Sequence, residues 1–281
     1  MRQSWKLATI FLVCSLVSQA GARILVHGHR GARALRPENT MPAFEYAIAA
    51  GVDVLELDMA VTKDDVVVVS HDPVMSPPIC TGARAGVPIR QLTLSELRQY
   101  DCGGARNPAQ PRQKLVPGTR VPTLDEVFAL APKGRFEFNI ETKIFADKPD
   151  LAPTPEKFVE LVLAVIRRHK LESRVILQSF DFRTLHAMKE RAPKIRLAAL
   201  YEGTPKSFVT IAREAGASII SPRYNLVTRA EVKAAHAAGL QVIPWTPNTP
   251  DDWRRLVDAN VDAIITDDPA ALIRYLAADQ R

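Results

Sequence analysis

The chain has 281 residues, 47% of them apolar, with 37 lysines and arginines against 31 acids and a formal charge of +6. That is enough apolar content for one large α/β domain. The absence of tandem repeats, low-complexity tracts and long charge runs excludes solenoid, fibrous and disordered classes. The mild basic excess suits an anionic small molecule. With no Lys/Arg stripe interleaved with aromatics, it does not point to a nucleic-acid partner.

Residues 1–22 read as a secretory signal: Arg2 and Lys6, an apolar run Leu7–Val17, then the small cluster Ala20-Gly21-Ala22. The run is too short to span a bilayer, and Cys14 lies inside it rather than at a lipid-attachment site. An exported protein, periplasmic or secreted, is therefore expected, with residues 23–281 as the working domain and no stable membrane anchor after cleavage. Two cysteines remain, Cys80 and Cys102. In an oxidising compartment they are expected to form a disulfide.

From residue 24 onward, short β-branched runs alternate with helical patterns. The runs are Ile24–Val26, Val52–Leu57, Phe136–Ile140, Val175–Leu177, Leu197–Leu200, Ser218–Ile220, Val242–Ile243 and Ala263–Ile265. Helical periodicity covers Met41–Ala50, Glu156–Lys170, Phe182–Arg191, Lys206–Ala215, Arg229–Ala238, Asp251–Asn260 and Pro269–Ala277. Eight such units in one domain predict a parallel TIM (βα)8 barrel. No GxGxxG follows the first run, which disfavours a doubly wound sheet.

Val66–Val69 breaks the alternation. Only Thr62-Lys63-Asp64-Asp65 separates it from the preceding strand, too little for a parallel crossover, so an antiparallel hairpin is expected. A hairpin centred near Asp64 returns His71 to the rim that Glu56 and Asp58 occupy. Residues 73–122, rich in Pro, Gly and Arg, then read as an insertion after the second barrel strand. It has one short helix, Ser95–Tyr100, and caps one side of the mouth.

The polar residues at strand ends carry the chemistry, because barrel sites lie at the C-terminal strand ends. Glu56 and Asp58 are two apart and point the same way. With Glu141, which ends the third run, they make three carboxylates whose mutual repulsion a hard divalent cation, Mg²⁺ or Ca²⁺, would relieve. His29 and His71 are the natural proton donor and acceptor at neutral pH. Arg30 can fork two phosphate oxygens, and Lys143 is predicted to face the cavity beside Glu141. Asn39 or Thr40 can cap the first helix. Glu38, next to them, either joins the metal or holds Arg30. Trp245 ends the seventh strand, where an aromatic face suits substrate or packs the mouth. His27 lines the floor, while His169, His186 and His236 fall in helices and read as structural.

Taken together, His29-Arg30-Gly31, Pro37-Glu38-Asn39-Thr40, Glu56-Leu57-Asp58, His71-Asp72, Asn139-Ile140-Glu141-Thr142-Lys143, Gln178-Ser179-Phe180, Trp245-Thr246 and Thr266-Asp267 resemble the glycerophosphodiester phosphodiesterase family over nearly the whole mature chain. The resemblance implies a TIM barrel that hydrolyses glycerophosphodiesters to glycerol 3-phosphate and an alcohol. It further implies metal ligands at Glu56, Asp58 and Glu141, an acid/base pair at His29 and His71, and phosphate contacts at Arg30 and Lys143. Substrate contacts would fall at Phe180 and Trp245, with an additional site carboxylate at Glu38. Pro247 departs from the family pattern, in which a β-branched residue more often precedes the asparagine.

On these residues the attacking group is water or the glycerol hydroxyl beside the phosphate, and either histidine could serve as base. Two other readings stand beside this one. A phospholipase-D- or C-like barrel acting on lysophospholipids would need a large apolar entry surface. A non-catalytic exported phosphate-ester binding protein would need the metal and Arg30 but neither histidine.

Overall fold

A computed structural model describes residues 23–279; the proposed signal at residues 1–22 lies outside them. Among the described residues, eleven strands and nine α-helices follow in chain order: β1 Leu25–Gly28, α1 Met41–Ala50, β2 Val54–Val61, β3 Val67–Val69, β4 Val74–Met75, β5 Val87–Pro88, α2 Leu94–Leu97, α3 Leu124–Phe128 and β6 Glu137–Thr142. They continue with α4 Pro155–His169, β7 Val175–Ser179, α5 Phe182–Arg191, β8 Arg196–Tyr201, α6 Phe208–Ala215, β9 Ile219–Pro222, α7 Arg229–Ala237, β10 Gln241–Val242, α8 Pro250–Asp258, β11 Ala263–Thr266 and α9 Pro269–Asp279.

Eight of these strands run parallel in the order β10-β9-β8-β7-β6-β2-β1-β11. The ring closes between its two ends. Asp262 donates its backbone N–H to Val242 O at 3.0 Å, and Ile265 donates to Pro244 O at 3.0 Å. This is the predicted barrel, with each strand within a residue or two of its apolar run except β2, which runs four residues past Leu57 into the hairpin. The hairpin is present as well: β3 pairs antiparallel with β2, Met59 opposite Val69 and Val61 opposite Val67.

The apolar side chains sort into three groups. Most lie between the strands and the outer helices, as Phe44, Phe138, Phe158 and Phe208 do, all essentially inaccessible. A small cluster of Ile176, Ala198, Ile219, Ile243, Ala263 and Ile265 fills the barrel interior. This layered filling is what a closed barrel requires. The third group belongs to the insertion, which is more than a lid. Met75, Ile89, Leu92, Leu97, Tyr100 and the two cysteines form a core of its own around Val68. Sγ of Cys80 and Sγ of Cys102 are bonded at 2.05 Å. Its α-helix is shorter than expected and shifted toward the N-terminus. Periodicity does not predict α3. Its five residues are too few to show a repeat, and a capping box at Thr123 and Glu126 marks it instead.

His27 lies inside the barrel, 1% exposed, and its Nδ1 has no hydrogen-bond partner among the described residues. Burial, reinforced by the Arg196 charge, lowers its pKa from 6.5 to about 3. The folded state therefore refuses a proton that the unfolded chain accepts. Stability contributed by this group is intact above pH ~6.5 and is lost as pH falls toward 3. The expected result is a steep drop in Tm between pH 6.5 and 4 that His27→Leu flattens. An unchanged slope in the variant would place the acid sensitivity elsewhere.

Candidate active site

The β1–α1 loop is folded unusually tightly. Arg30 (φ 49°), Gly31 (φ 83°) and Asn39 (φ 55°) all occupy the left-handed region. For non-glycine residues that conformation is costly and clusters at functional sites. Hydrogen bonds hold it there. Arg30 N–H donates to Glu56 Oε2 at 2.8 Å, and Asn39 N–H donates to Arg30 O at 3.0 Å. Asn39 does not cap α1. Its Nδ2 donates to Asp58 Oδ2 at 2.8 Å, while Thr40 occupies the N-cap position but gives its hydroxyl to Pro37 O. Pinning the acid outweighs capping here, because a buried carboxylate without donors is expensive.

Glu56, Asp58 and Glu141 converge as expected, each offering an oxygen within 4.8 Å of the others. The register explains it: Asp58 on β2 is level with Glu141 on β6. All three are buried. Burial and the neighbouring Asp58 charge push Glu56 well above the carboxylate range. Burial raises Glu141 to about 7, with Lys143 opposing the shift. Asp58 is held low against its own burial by Lys143, His71 and Arg30. Lys143 Nζ lies 2.8 Å from Glu141 and 3.3 Å from Asp58. Lys143 and Arg30 together do not neutralise three acids, and hard oxygen donors at this spacing fit a divalent cation.

Glu38 stands outside this triad. Its Oε1 accepts from Arg30 Nη1 at 2.5 Å and its Oε2 from Arg33 Nε at 2.8 Å, so of the two roles open to it the structure brings it to Arg30. Arg30 Nε lies 3.3 Å from Asp58.

The two histidines line the same cavity as the acids. His29 Nδ1 is 2.5 Å from Asp267 Oδ1. Asp267 is in turn held by Asn248, whose Nδ2 donates to Oδ2 at 2.9 Å. The His29 charge holds the buried Asp267 carboxyl down at about 2. Burial keeps the His29 pKa below its ordinary value, with Asp267 opposing. His71 is more open, and its Nδ1 meets Asp72 at 2.7 Å. The hairpin returns it to the rim beside Asp58, as the strand spacing predicted.

The cavity measures about 170 Å³. Beside the polar groups, Phe180, Leu200, Trp245 and Ile265 line it. Phe180 is 42% exposed and meets Trp245 edge to face, with centroids 5.6 Å apart. Sequence reasoning missed Arg33, Asp267, Asn248 and Gln178 as working parts of the site. The strand-end rule that found Glu141 also marks Gln178 and Asp267. No local signal marks Arg33 or Asn248. The helical histidines are structural as expected: His169 pairs with Asp125, His186 with the Glu214 carbonyl and His236 with Asp262. Among the described residues, no helix is long and apolar enough to cross a membrane.

Residues 29–271 match the Glycerophosphoryl diester phosphodiesterase family. A glycerophosphodiester phosphodiesterase of Caldanaerobacter subterraneus subsp. tengcongensis is 34% identical over 254 residues, 90% of this chain and 98% of the relative. One from Bacillus subtilis is 31% identical over 265 residues, 88% and 84% of the two chains. The solved structure of a Silicibacter pomeroyi protein bearing the family's name superposes with a TM-score of 0.85 at 31% identity, covering 92% of this chain and 94% of its own.

Proposed function

The chain belongs to the glycerophosphoryl diester phosphodiesterase family, and from that membership and the site's geometry we propose that it hydrolyses glycerophosphodiesters to glycerol 3-phosphate and an alcohol. The observation that carries the reading is that His29 and His71 line the same cavity as the buried triad Glu56, Asp58 and Glu141. A binding protein would need no such proton-transfer pair. Bound by the triad, a divalent cation supplies Lewis-acid stabilisation of charge on a phosphoryl oxygen.

The chain's own groups do the rest. Arg30, whose pKa is raised by the charges of Asp58 and Glu38 against its burial, stays protonated and binds the diester with Lys143. His29 starts neutral. Its Nδ1–H donates to Asp267, which leaves Nε2 as the acceptor that takes the proton of the attacking water, or of the glycerol hydroxyl, in which case water opens the resulting cyclic diester in a second step to give glycerol 3-phosphate. His71, with Asp72 behind it, then protonates the departing alkoxide.

A cavity of about 170 Å³ fits a small diester better than a lysolipid; drug-sized ligands occupy roughly 300–1,000 Å³. The test is a product assay on a panel of glycerophosphodiesters, with lysophosphatidylcholine alongside, in Mg²⁺, in Ca²⁺ and in chelator. Glycerol 3-phosphate release that requires a cation is expected. Turnover unaffected by chelation would overturn the cation's role. Turnover of the lysolipid alone would overturn the substrate class. The leader pattern at residues 1–22 and the bonded cysteines support placement in an oxidising, extracytoplasmic compartment. Recovery of the uncleaved chain from the cytoplasm would contradict that placement.

A further inference from the structure

Among the described residues, two of the three clustered acids lie against a cation, and the third does not. Asp58 has Lys143 and Arg30 each at 3.3 Å, and Glu141 has Lys143 at 2.8 Å. Glu56 is held by neutral groups. Its Oε2 accepts the backbone N–H of Arg30 at 2.8 Å, and its Oε1 accepts from Gln178 Nε2 at 2.8 Å.

Gln178 sits on β7, level with Glu141 on β6, and reaches past β6 to meet Glu56 on β2. Its own Oε1 accepts from Asn139 Nδ2 at 2.9 Å. Gln178 and Asn139 are each 1% exposed. The direction of this relay follows from its end. A carboxylate that binds a cation is ionised and only accepts, so to serve the loaded site Gln178 must turn its NH₂ toward Glu56, as it does at 2.8 Å. Its carbonyl oxygen then needs a donor, and Asn139 supplies one. That commitment leaves Asn139 Oδ1 buried with no hydrogen-bond partner among the described residues. Such an orphan costs about 1–3 kcal/mol, so the arrangement is a poor device for stability. It makes sense if the orientation of Glu56 is what it secures.

We propose that Gln178, itself fixed by Asn139, is a positioning residue that sets the carboxylate plane of Glu56 for the divalent cation. The inference rests on the reading of the triad given above. With one lone pair of each Glu56 oxygen already engaged, the remaining lone pairs point in defined directions. An amide does this without adding a positive charge that would compete with the incoming ion, as a second lysine would. Partners that orient a metal ligand in this way are typically worth ~10–100-fold in metal affinity.

The test is calorimetric titration of the whole, substrate-free protein with Mg²⁺, Ca²⁺ and Mn²⁺. Gln178→Leu is compared with Gln178→Asn, which keeps the amide but is one methylene too short to reach Glu56. Both are expected to bind the cation ~10–100-fold more weakly; Tm should fall as well, because Glu56 Oε1 and Asn139 Nδ2 lose their partner, so affinity is read at a temperature where each variant is folded. Their activity should return as cation concentration is raised, which a merely structural defect would not allow. Affinity equal to the parent's in a folded variant overturns the inference and leaves the triad reading standing. Absence of cation binding by the parent protein overturns both. If Gln178→Leu fails to fold, Gln178→Asn decides.

Discussion

His29→Ala and His71→Ala are each expected to lower kcat by at least ~10²-fold, the scale of lost acid–base catalysis, with KM changed far less. The split follows from geometry. On the proposed mechanism neither ring holds the phosphate, which falls to Arg30 and Lys143, so binding should survive while proton transfer does not. His29 is packed against Asp267 and largely buried, with its side chain 12% exposed. His29→Gln serves as a second variant that fills the space and cannot shuttle a proton. Asp267→Asn should give a smaller loss. It leaves the ring in place but removes the charge that selects the Nδ1–H tautomer and favours protonation at Nε2. Steady-state kinetics on the folded variants decide the matter. Full turnover by either alanine variant removes that histidine from the mechanism.

A large stability effect is expected at a residue with no side chain. Gly31→Ala should cost roughly 2–4 kcal/mol and lower Tm by roughly 5–15 °C. Gly31 adopts φ 83°, and a Cβ there would meet the backbone carbon of Ala43 at 2.7 Å and its Cβ at 2.8 Å. Relief requires either α1 or the β1–α1 loop to shift, and that loop carries His29, Arg30 and Asn39. Activity should therefore fall with stability. Gly51→Ala is the control. Gly51 has nearly the same backbone angle, φ 87°, yet among the described residues nothing lies within 4 Å of the position its new methyl group would take. It should lose only the ~1–2 kcal/mol of a left-handed side chain. Equal losses at both positions, measured by denaturant unfolding, would show that α1 gives way freely and that close packing does not hold the catalytic turn.

The architecture was legible in the sequence because barrel strands, buried on both faces, read as continuous apolar runs. Eight of them, each followed by a helical period, leave little choice of topology. The triad was legible for a related reason. Period-two alternation puts Glu56 and Asp58 on one face, and the end of the next barrel strand supplies Glu141. His71 needed one further step, since four residues between β2 and β3 permit only a hairpin. By contrast, Asn39 fits a helix cap on local evidence alone, and only the fold shows that its amide is spent on Asp58.

By itself, the sequence determined the barrel, the hairpin that carries His71, and the chemical identity of the groups at the strand ends. Tertiary structure decided who holds whom. Glu38 goes to Arg30 and Arg33 rather than to the triad. Asp267 meets His29 across 238 residues of chain, and Gln178 meets Glu56 across 122. Strand order is the physical cause: it makes β11 a neighbour of β1 and sets β7 one strand beyond β6 from β2, so that Gln178 reaches past β6 to Glu56. No local pattern encodes those distances, because they depend on register between strands far apart in the chain. The groups that transfer protons and hold charge can be read from residue type and spacing; the partners that orient them exist only once the ring has closed.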